Sequence, residues 1–223
     1  MTKTVTILGS TGTIGQNTLK CIALHPEKFS VKALVARENI ELLASQAKEF
    51  KPELVVVTNQ SFYPELKRLL SGSSIKIATG EEGALEAASN NADITMSAIV
   101  GAAGLKPTLA AIKNGKTIAL ANKESLVCAG ELMQREVKKY GATIIPVDSE
   151  HNAIFQLLNN VMPNADFPHE LASDFRKSSD VASSAKERLD TSLRWYDKKS
   201  YSGVERVTIT ASGGPFRTFT LEQ

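Results

Sequence analysis

Short β-branched runs alternate with helix-length amphipathic stretches along this chain, and that alternation limits the fold more than any other feature. Val5 to Leu8 is followed by a helical pattern through Leu19 and Ile22 to Leu24. Val31 to Ala36 leads into Ile40, Leu42, Leu43, Ala47 and Phe50, and Leu54 to Val57 precedes a helical segment from Tyr63 to Leu70. Further strands are expected at Ile75 to Ala78, Ile94 to Ser97, Thr117 to Leu120 and Ala142 to Ile145. Helices are expected over Glu82 to Ser89, Leu105 to Asn114 and Leu126 to Tyr140. Strands that alternate with helices of about ten residues argue a parallel sheet covered on both faces, a doubly wound α/β domain.

The texture changes after Phe155. Residues 159–203 are a polar excursion rich in Ser, Asp and Lys, with one helical stripe at Val181, Ala185, Leu189, Leu193 and Tyr196. So few core residues suit a surface excursion better than a separate domain. A strand is expected at Val204 to Thr210, ending in the glycine-proline turn of Ser212 to Arg217.

A chain of 223 residues can bury a core without staples. Its 42% hydrophobic content and formal charge of +2 point to a small-molecule partner rather than nucleic acid or an anionic membrane. The N-terminus enters a strand directly, and no apolar run is long enough for a membrane span, so a cytoplasmic location is expected. Cys21 and Cys128 have no ligand or redox spacing and read as reduced, buried, small apolar residues.

The segment Val5 to Gly15, VTILGSTGTIG, reads as strand, glycine turn, helix. Gly9, Gly12 and Gly15 are a variant of the dinucleotide fingerprint, in which glycines let a pyrophosphate approach a helix N-terminus. Ser10, Thr11 and Thr13 add donors. At the end of the second strand, Arg37 is the first charged residue, an ordering that favours NADP over NAD. Glu38 beside it is a hint the other way, or else an acid suited to the start of the next helix.

Ala98 to Gly104 and Leu120 to Ser125 both follow strand ends, the edge where open α/β sheets bind ligands. Asn122, Lys123 and Glu124 there could bond a carbonyl, a phosphate or an amide. At the same edge, PVDSEHNAIF places Asp148 and Glu150 two residues apart, able to converge on a hard divalent cation such as Mg²⁺ or Mn²⁺, with Ser149 toward substrate. Asp148 or Ser149 could equally cap a helix. Two carboxylates alone are too few for a tight metal site.

The motifs GSTGTIG (9–15), AIVGAAG (98–104), LANKESLV (120–127), PVDSEHNAIFQ (146–156) and SGGPFR (212–217), in this order, resemble the 1-deoxy-D-xylulose 5-phosphate reductoisomerase family. The resemblance implies an enzyme of non-mevalonate isoprenoid biosynthesis that rearranges 1-deoxy-D-xylulose 5-phosphate and reduces the product with NADPH to 2-C-methyl-D-erythritol 4-phosphate. It implies cofactor contacts at Thr11, Gly12, Thr13, Ile14, Asn39, Asn122 and Glu124, and substrate contacts at Lys123, Ser149 and Ser212. It makes Asp148 and Glu150 ligands of Mg²⁺ or Mn²⁺, Lys123 a catalytic cation, and the family's assembly a homodimer. The basic residue after the second strand stands one position earlier than the family's, which weakens the carry-over to Arg37. The excursion is longer than the family's. The resemblance divides the chain into a Rossmann-like NADPH-binding domain over 1–147 and the start of an α+β catalytic domain over 148–223. Family members also continue far beyond SGGPFR, so a third carboxylate ligand and a helical C-terminal domain are expected past Gln223; the chain reads as a truncation whose activity is expected to be impaired. The alternatives are a catalytically silent NADPH-binding fragment or another NADP-dependent oxidoreductase.

Overall fold

The computed structural model describes residues 2–149, 151–153 and 155–156. The excursion, the expected strand at 204–210, the SGGPFR turn, Glu150 and Ser212 lie outside the described residues.

The strands are β1 (Lys3–Leu8), β2 (Phe29–Ala36), β3 (Leu54–Val57), β4 (Lys76–Thr79), β5 (Ile94–Ser97), β6 (Thr117–Leu120) and β7 (Thr143–Pro146). Between them run α1 (Thr13–Leu24), α2 (Ile40–Phe50), α3 (Tyr63–Leu69), α4 (Gly80–Ala88), α5 (Leu105–Ile112) and α6 (Lys123–Tyr140). All pairings are parallel, in the order β4-β3-β2-β1-β5-β6-β7. The four residues of β3, Leu-Val-Val-Val, are all buried, as the apolar runs require of strands covered on both faces. One core packs α1, α2 and α3 onto the sheet through Leu19, Ile22, Leu43, Ala47 and Leu66. The other packs α4, α5 and α6 on the opposite face through Ala84, Ala87, Ile112, Met133 and Val137. This is the doubly wound arrangement expected from the alternation.

The chain winds outward from β1 to β4, then returns to add β5, β6 and β7 on the other side of β1. Strand order therefore reverses between β1 and β5, which opens a crevice beyond their carboxyl ends. Gly9 sits at that point with φ +92°, and a Cβ there would come within 2.7 Å of the Ala98 carbonyl oxygen. Only glycine tolerates both the left-handed backbone and the close approach.

Two expectations are corrected. Helix α6 begins at Lys123 rather than Leu126, because the Asn122 side chain accepts the Ser125 N–H at 3.0 Å and caps an extra turn. Within α6, Ala129 departs from helical geometry at φ −144°, ψ 31°, so the helix is kinked there, next to Gly130. Cys21 and Cys128 are free but exposed, not buried. The buried stripe of α1 is Gly15, Leu19 and Ile22, and that of α6 includes Ser125, Ala129 and Met133, and the cysteines fall off both stripes.

At the amino edge of the sheet, Asp93 ties β1 to β5. Its carboxylate accepts the Thr4 N–H and hydroxyl, each at 2.8 Å, and its own N–H donates to Thr4 Oγ1 at 3.0 Å. The Thr4 backbone N–H, then the Thr4 hydroxyl, hold the Asp93 pKa below the ordinary carboxylate value, with help from Lys116 and Lys3. A depressed carboxylate contributes stability that is present above the unfolded pKa and is lost as pH falls through the folded one. Asp93→Ala is expected to be less stable than the parent chain near neutral pH, with the gap closing below about pH 4. Urea unfolding at a series of pH values measures this, and a pH-independent gap would show that the charge of Asp93 does not matter.

Candidate active site at the switch point

The turn between β1 and α1 is held by its carbonyl groups. The N–H groups of Gly9 and Ser10 both donate to the Val35 carbonyl at 2.8 Å, fastening the turn to β2. Gly9 O accepts the Gly12 N–H at 3.2 Å and Gly12 O accepts the Gln16 N–H at 2.9 Å. Ser10 O accepts from Gln46 Nε2 at 3.0 Å, and Thr11 O from Gln16 Nε2 at 2.8 Å. Every carbonyl from Gly9 to Gly12 is thereby engaged by a donor of the protein. Gly12 is the N-cap of α1, without a capping side-chain bond, and the first turn carries no acid. The first-turn amides of α1 are thus left for an external acceptor, at the positive end of the helix dipole. A Cβ at Gly15 would collide with Gly9 O and stand 2.6 Å from Ser10 Cα, so glycine lets the turn lie on the helix. Gly12, Thr13 and Ile14 are exposed and Thr11 is half-buried, which brings the expected cofactor residues of this loop to one surface.

At the end of β2, Arg37 is 82% exposed and pairs with Glu38 at 3.3 Å. So exposed a pair is weak and leaves the guanidinium available to a stronger anion. Glu38 lies outside α2; Glu41 is the acid of the first turn, and Asn39 is the N-cap, accepting the Leu42 N–H at 3.2 Å. Asn39, expected as a cofactor contact, thus has a structural bond of its own.

Asn122 is the hinge of the neighbouring loops. Its side chain is 2% exposed and its Nδ2 donates to the carbonyls of Ile99 and Gly101, at 2.5 and 2.9 Å, while its Oδ1 caps α6. A Cβ at Gly104 would meet the Asn122 amide and stand 2.6 Å from Ile99 O. The amide of Asn122 therefore joins the β5–α5 loop to the start of α6. Glu124 is exposed in the first turn of α6, where an acid suits the dipole.

At the end of β7, Lys123 and Asp148 come together, Nζ to Oδ2 at 3.9 Å. The other carboxylate oxygen, Oδ1, accepts the His151 N–H at 3.3 Å and bonds to His151 Nδ1. Asp148 O accepts the Asn152 N–H at 2.9 Å, and Asn152 Nδ2 donates to Pro146 O at 2.7 Å. Asp148 is therefore a helix cap, and its second oxygen faces the lysine. Ser149 is exposed beside it. His151 and Asn152 were not expected as site residues; the signal for His151 is its position three residues after a capping Asp, where a capping box closes.

The donor chemistry of the glycine turn fits a dinucleotide pyrophosphate. For a divalent cation, the described residues supply the hard oxygen of Asp148, and no group of three or more metal-ligating side chains occurs among them.

Fold and site define a Rossmann-like α/β domain whose ligand edge lies at the β1/β5 reversal. The family model for 1-deoxy-D-xylulose 5-phosphate reductoisomerase matches residues 5–130, and that for the C-terminal domain of the same enzyme matches residues 144–223. The chain belongs to the 1-deoxy-D-xylulose 5-phosphate reductoisomerase family. It is 43% identical over 99% of its length to the reductoisomerase of Rhodospirillum centenum, and 46% identical over 98% to that of Laribacter hongkongensis. It covers 46% and 48% of those proteins, about half the length of the curated relatives it matches. Among solved structures, the Zymomonas mobilis reductoisomerase in complex with NADPH superimposes with a TM-score of 0.69 at 52% identity, covering 70% of this chain and 41% of that one. A DOX-P reductoisomerase in complex with magnesium gives 0.70 at 44% identity, covering 73% and 41%. A complex with NADPH, fosmidomycin and magnesium gives 0.69 at 44% identity, covering 72% and 40%.

Asn122→Ala removes a cap worth about 1 kcal/mol and leaves two carbonyls without their donor, each costing about 1–3 kcal/mol where burial is complete. Ile99 and Gly101 are only half-buried, so water offsets part of that cost, and a loss of about 2–4 kcal/mol is expected in urea unfolding. A loss under about 1 kcal/mol would mean that water replaces the amide.

Proposed function

We propose that the chain forms the cofactor domain and the opening of the catalytic domain of an enzyme dependent on NADPH and a divalent metal. That enzyme would rearrange 1-deoxy-D-xylulose 5-phosphate and reduce the product to 2-C-methyl-D-erythritol 4-phosphate, a step of non-mevalonate isoprenoid synthesis. The observation that carries this reading is the turn at Gly9 to Gly15, with its carbonyls engaged inward and the uncapped start of α1 beside it. Relatives named as complexes with NADPH and with magnesium support the cofactor assignments.

Residues 1–147 are the cofactor domain and 148–223 the start of the catalytic domain, a division supported by the separate family matches over 5–130 and 144–223. Thr11, Gly12, Thr13 and Ile14 receive the pyrophosphate, and Arg37 the 2′-phosphate, with Asn39 beside it. Asn122 and Glu124 border the nicotinamide side, Asn122 chiefly by holding the loops. Lys123, Ser149 and Ser212 bind the sugar phosphate, and Asp148 with Glu150 holds the metal. When bound, NADPH supplies hydride and the cation, Mg²⁺ or Mn²⁺, supplies Lewis acidity toward the substrate oxygens. Lys123 places a positive charge at the same point, within 3.9 Å of Asp148. His151 fixes the Asp148 carboxylate by bonding one oxygen, which leaves the other directed at the lysine. No helix of the described residues is long and apolar enough to cross a membrane. A cytoplasmic homodimer is the assembly in which we place the enzyme, and its two free cysteines suit a reducing compartment.

The test is to titrate NADPH and Mn²⁺ separately and then assay turnover of 1-deoxy-D-xylulose 5-phosphate. NADPH binding with weak metal binding and impaired turnover is expected of a chain that spans about half the length of its relatives; NADPH binding with no metal binding and no turnover at all would mark a catalytically silent binding chain. Asp148→Asn keeps a cap and drops the charge, so Mn²⁺ affinity should fall about 100-fold while NADPH affinity stays within about twofold. Equal losses of both would reduce Asp148 to a cap. Arg37→Ala should weaken NADPH about tenfold and leave NADH unchanged, as fluorescence titration would show, and equal weakening of both nucleotides would remove the 2′-phosphate role.

A further inference from the structure

The glycine turn is useful to an anion only while its carbonyl oxygens point away from it, since an outward carbonyl would set a partial negative charge against a phosphate. Two of the four engaged carbonyls are bound to backbone N–H groups and two to glutamine side chains. The Gln16 bond is local, from the first turns of the helix that the loop begins. The Gln46 bond comes from a different element, α2, whose buried stripe it shares with Leu43, Ala44 and Ala47. Gln46 is 5% exposed and Ser10 0%, a polar side chain placed among apolar neighbours for this one contact. Both partners also keep a buried oxygen, Ser10 Oγ and Gln46 Oε1, that has no hydrogen-bond partner. Leaving such atoms buried is costly, so packing alone does not account for a glutamine here. Helix α2 follows directly on Arg37 and Asn39, so the same helix adjoins the 2′-phosphate end and grips the pyrophosphate turn.

We propose that Gln46 is a positioning residue for the cofactor: by holding the Ser10 carbonyl inward it fixes the anion-accepting face of the turn and ties that face to α2. The proposal rests on the reading that this turn takes the pyrophosphate of NADPH. Gln46 itself touches no ligand. Its removal should therefore impair binding through the pyrophosphate and spare binding through the adenosine 2′-phosphate.

The test uses the full chain and two ligands, NADPH and adenosine 2′-monophosphate, which lacks the pyrophosphate. In Gln46→Met, which keeps the volume and removes the donor, the Kd for NADPH should rise about tenfold while that for adenosine 2′-monophosphate stays within about twofold. Gln46→Asn, whose amide is one methylene short of Ser10, should behave alike and serves if the methionine variant fails to fold. Thermal unfolding of each variant separates this from general loosening. Unchanged NADPH affinity in a folded variant overturns the proposal, as does an equal loss for both ligands, which would make Gln46 a plain structural residue. Failure of the parent chain to bind NADPH at all would overturn the cofactor reading and this proposal together.

Discussion

The contact of β1 with β5 is the constraint on which the rest of the structure depends. Because β5 pairs with β1 rather than extending the sheet beyond β4, the turns after both strands open onto one crevice. That adjacency sets Gly9 against Ala98, and it places Ile99 and Gly101 within reach of Asn122 at the next strand end. At the opposite edge the Asp93 and Thr4 bonds hold the same pair of strands in register. The sheet is locked at its amino edge and open at its carboxyl edge.

Helix caps recur around that open edge. Asn39 caps α2, Asn122 caps α6, and Asp148 caps the turn after β7. Each is a residue that the sequence marks as a ligand contact. The two roles are compatible, since a side chain that fixes the start of a helix also fixes the residues of its first turn, here Lys123 and Glu124 on α6. In Asp148 one carboxylate oxygen serves the cap and the other faces Lys123.

Much of the fold was legible because its signals are local. Each β-branched run within the described residues forms a strand, and the spacing of Gly9, Gly12 and Gly15 marks the turn at which strand order reverses. The convergence of Lys123 with Asp148 was legible only as two residues at two strand ends; the pairing of β6 with β7 makes it a contact. Other features depend on contacts distant in sequence. Gln46 reads as an unremarkable member of an amphipathic helix, since its partner lies 36 positions away. The extra turn of α6 was hidden because Lys123 and Glu124 carry no apolar signal and Asn122 alone announces the start. The cysteines were misplaced because their general tendency to be buried yields to their position off the helix stripe.

The kink at Ala129 divides α6 into two parts with separate duties. Beyond it, Met133 and Val137 are embedded in the core, so that half is an anchor whose orientation the sheet dictates. Before it, Leu126 reaches the same core, but Asn122 also fastens the first turn to the β5–α5 loop. The start of α6 therefore has two supports where the far half has one. With the kink between them, the ammonium group of Lys123 is held from the loop side as well as from the core, and not as the tip of one rigid rod.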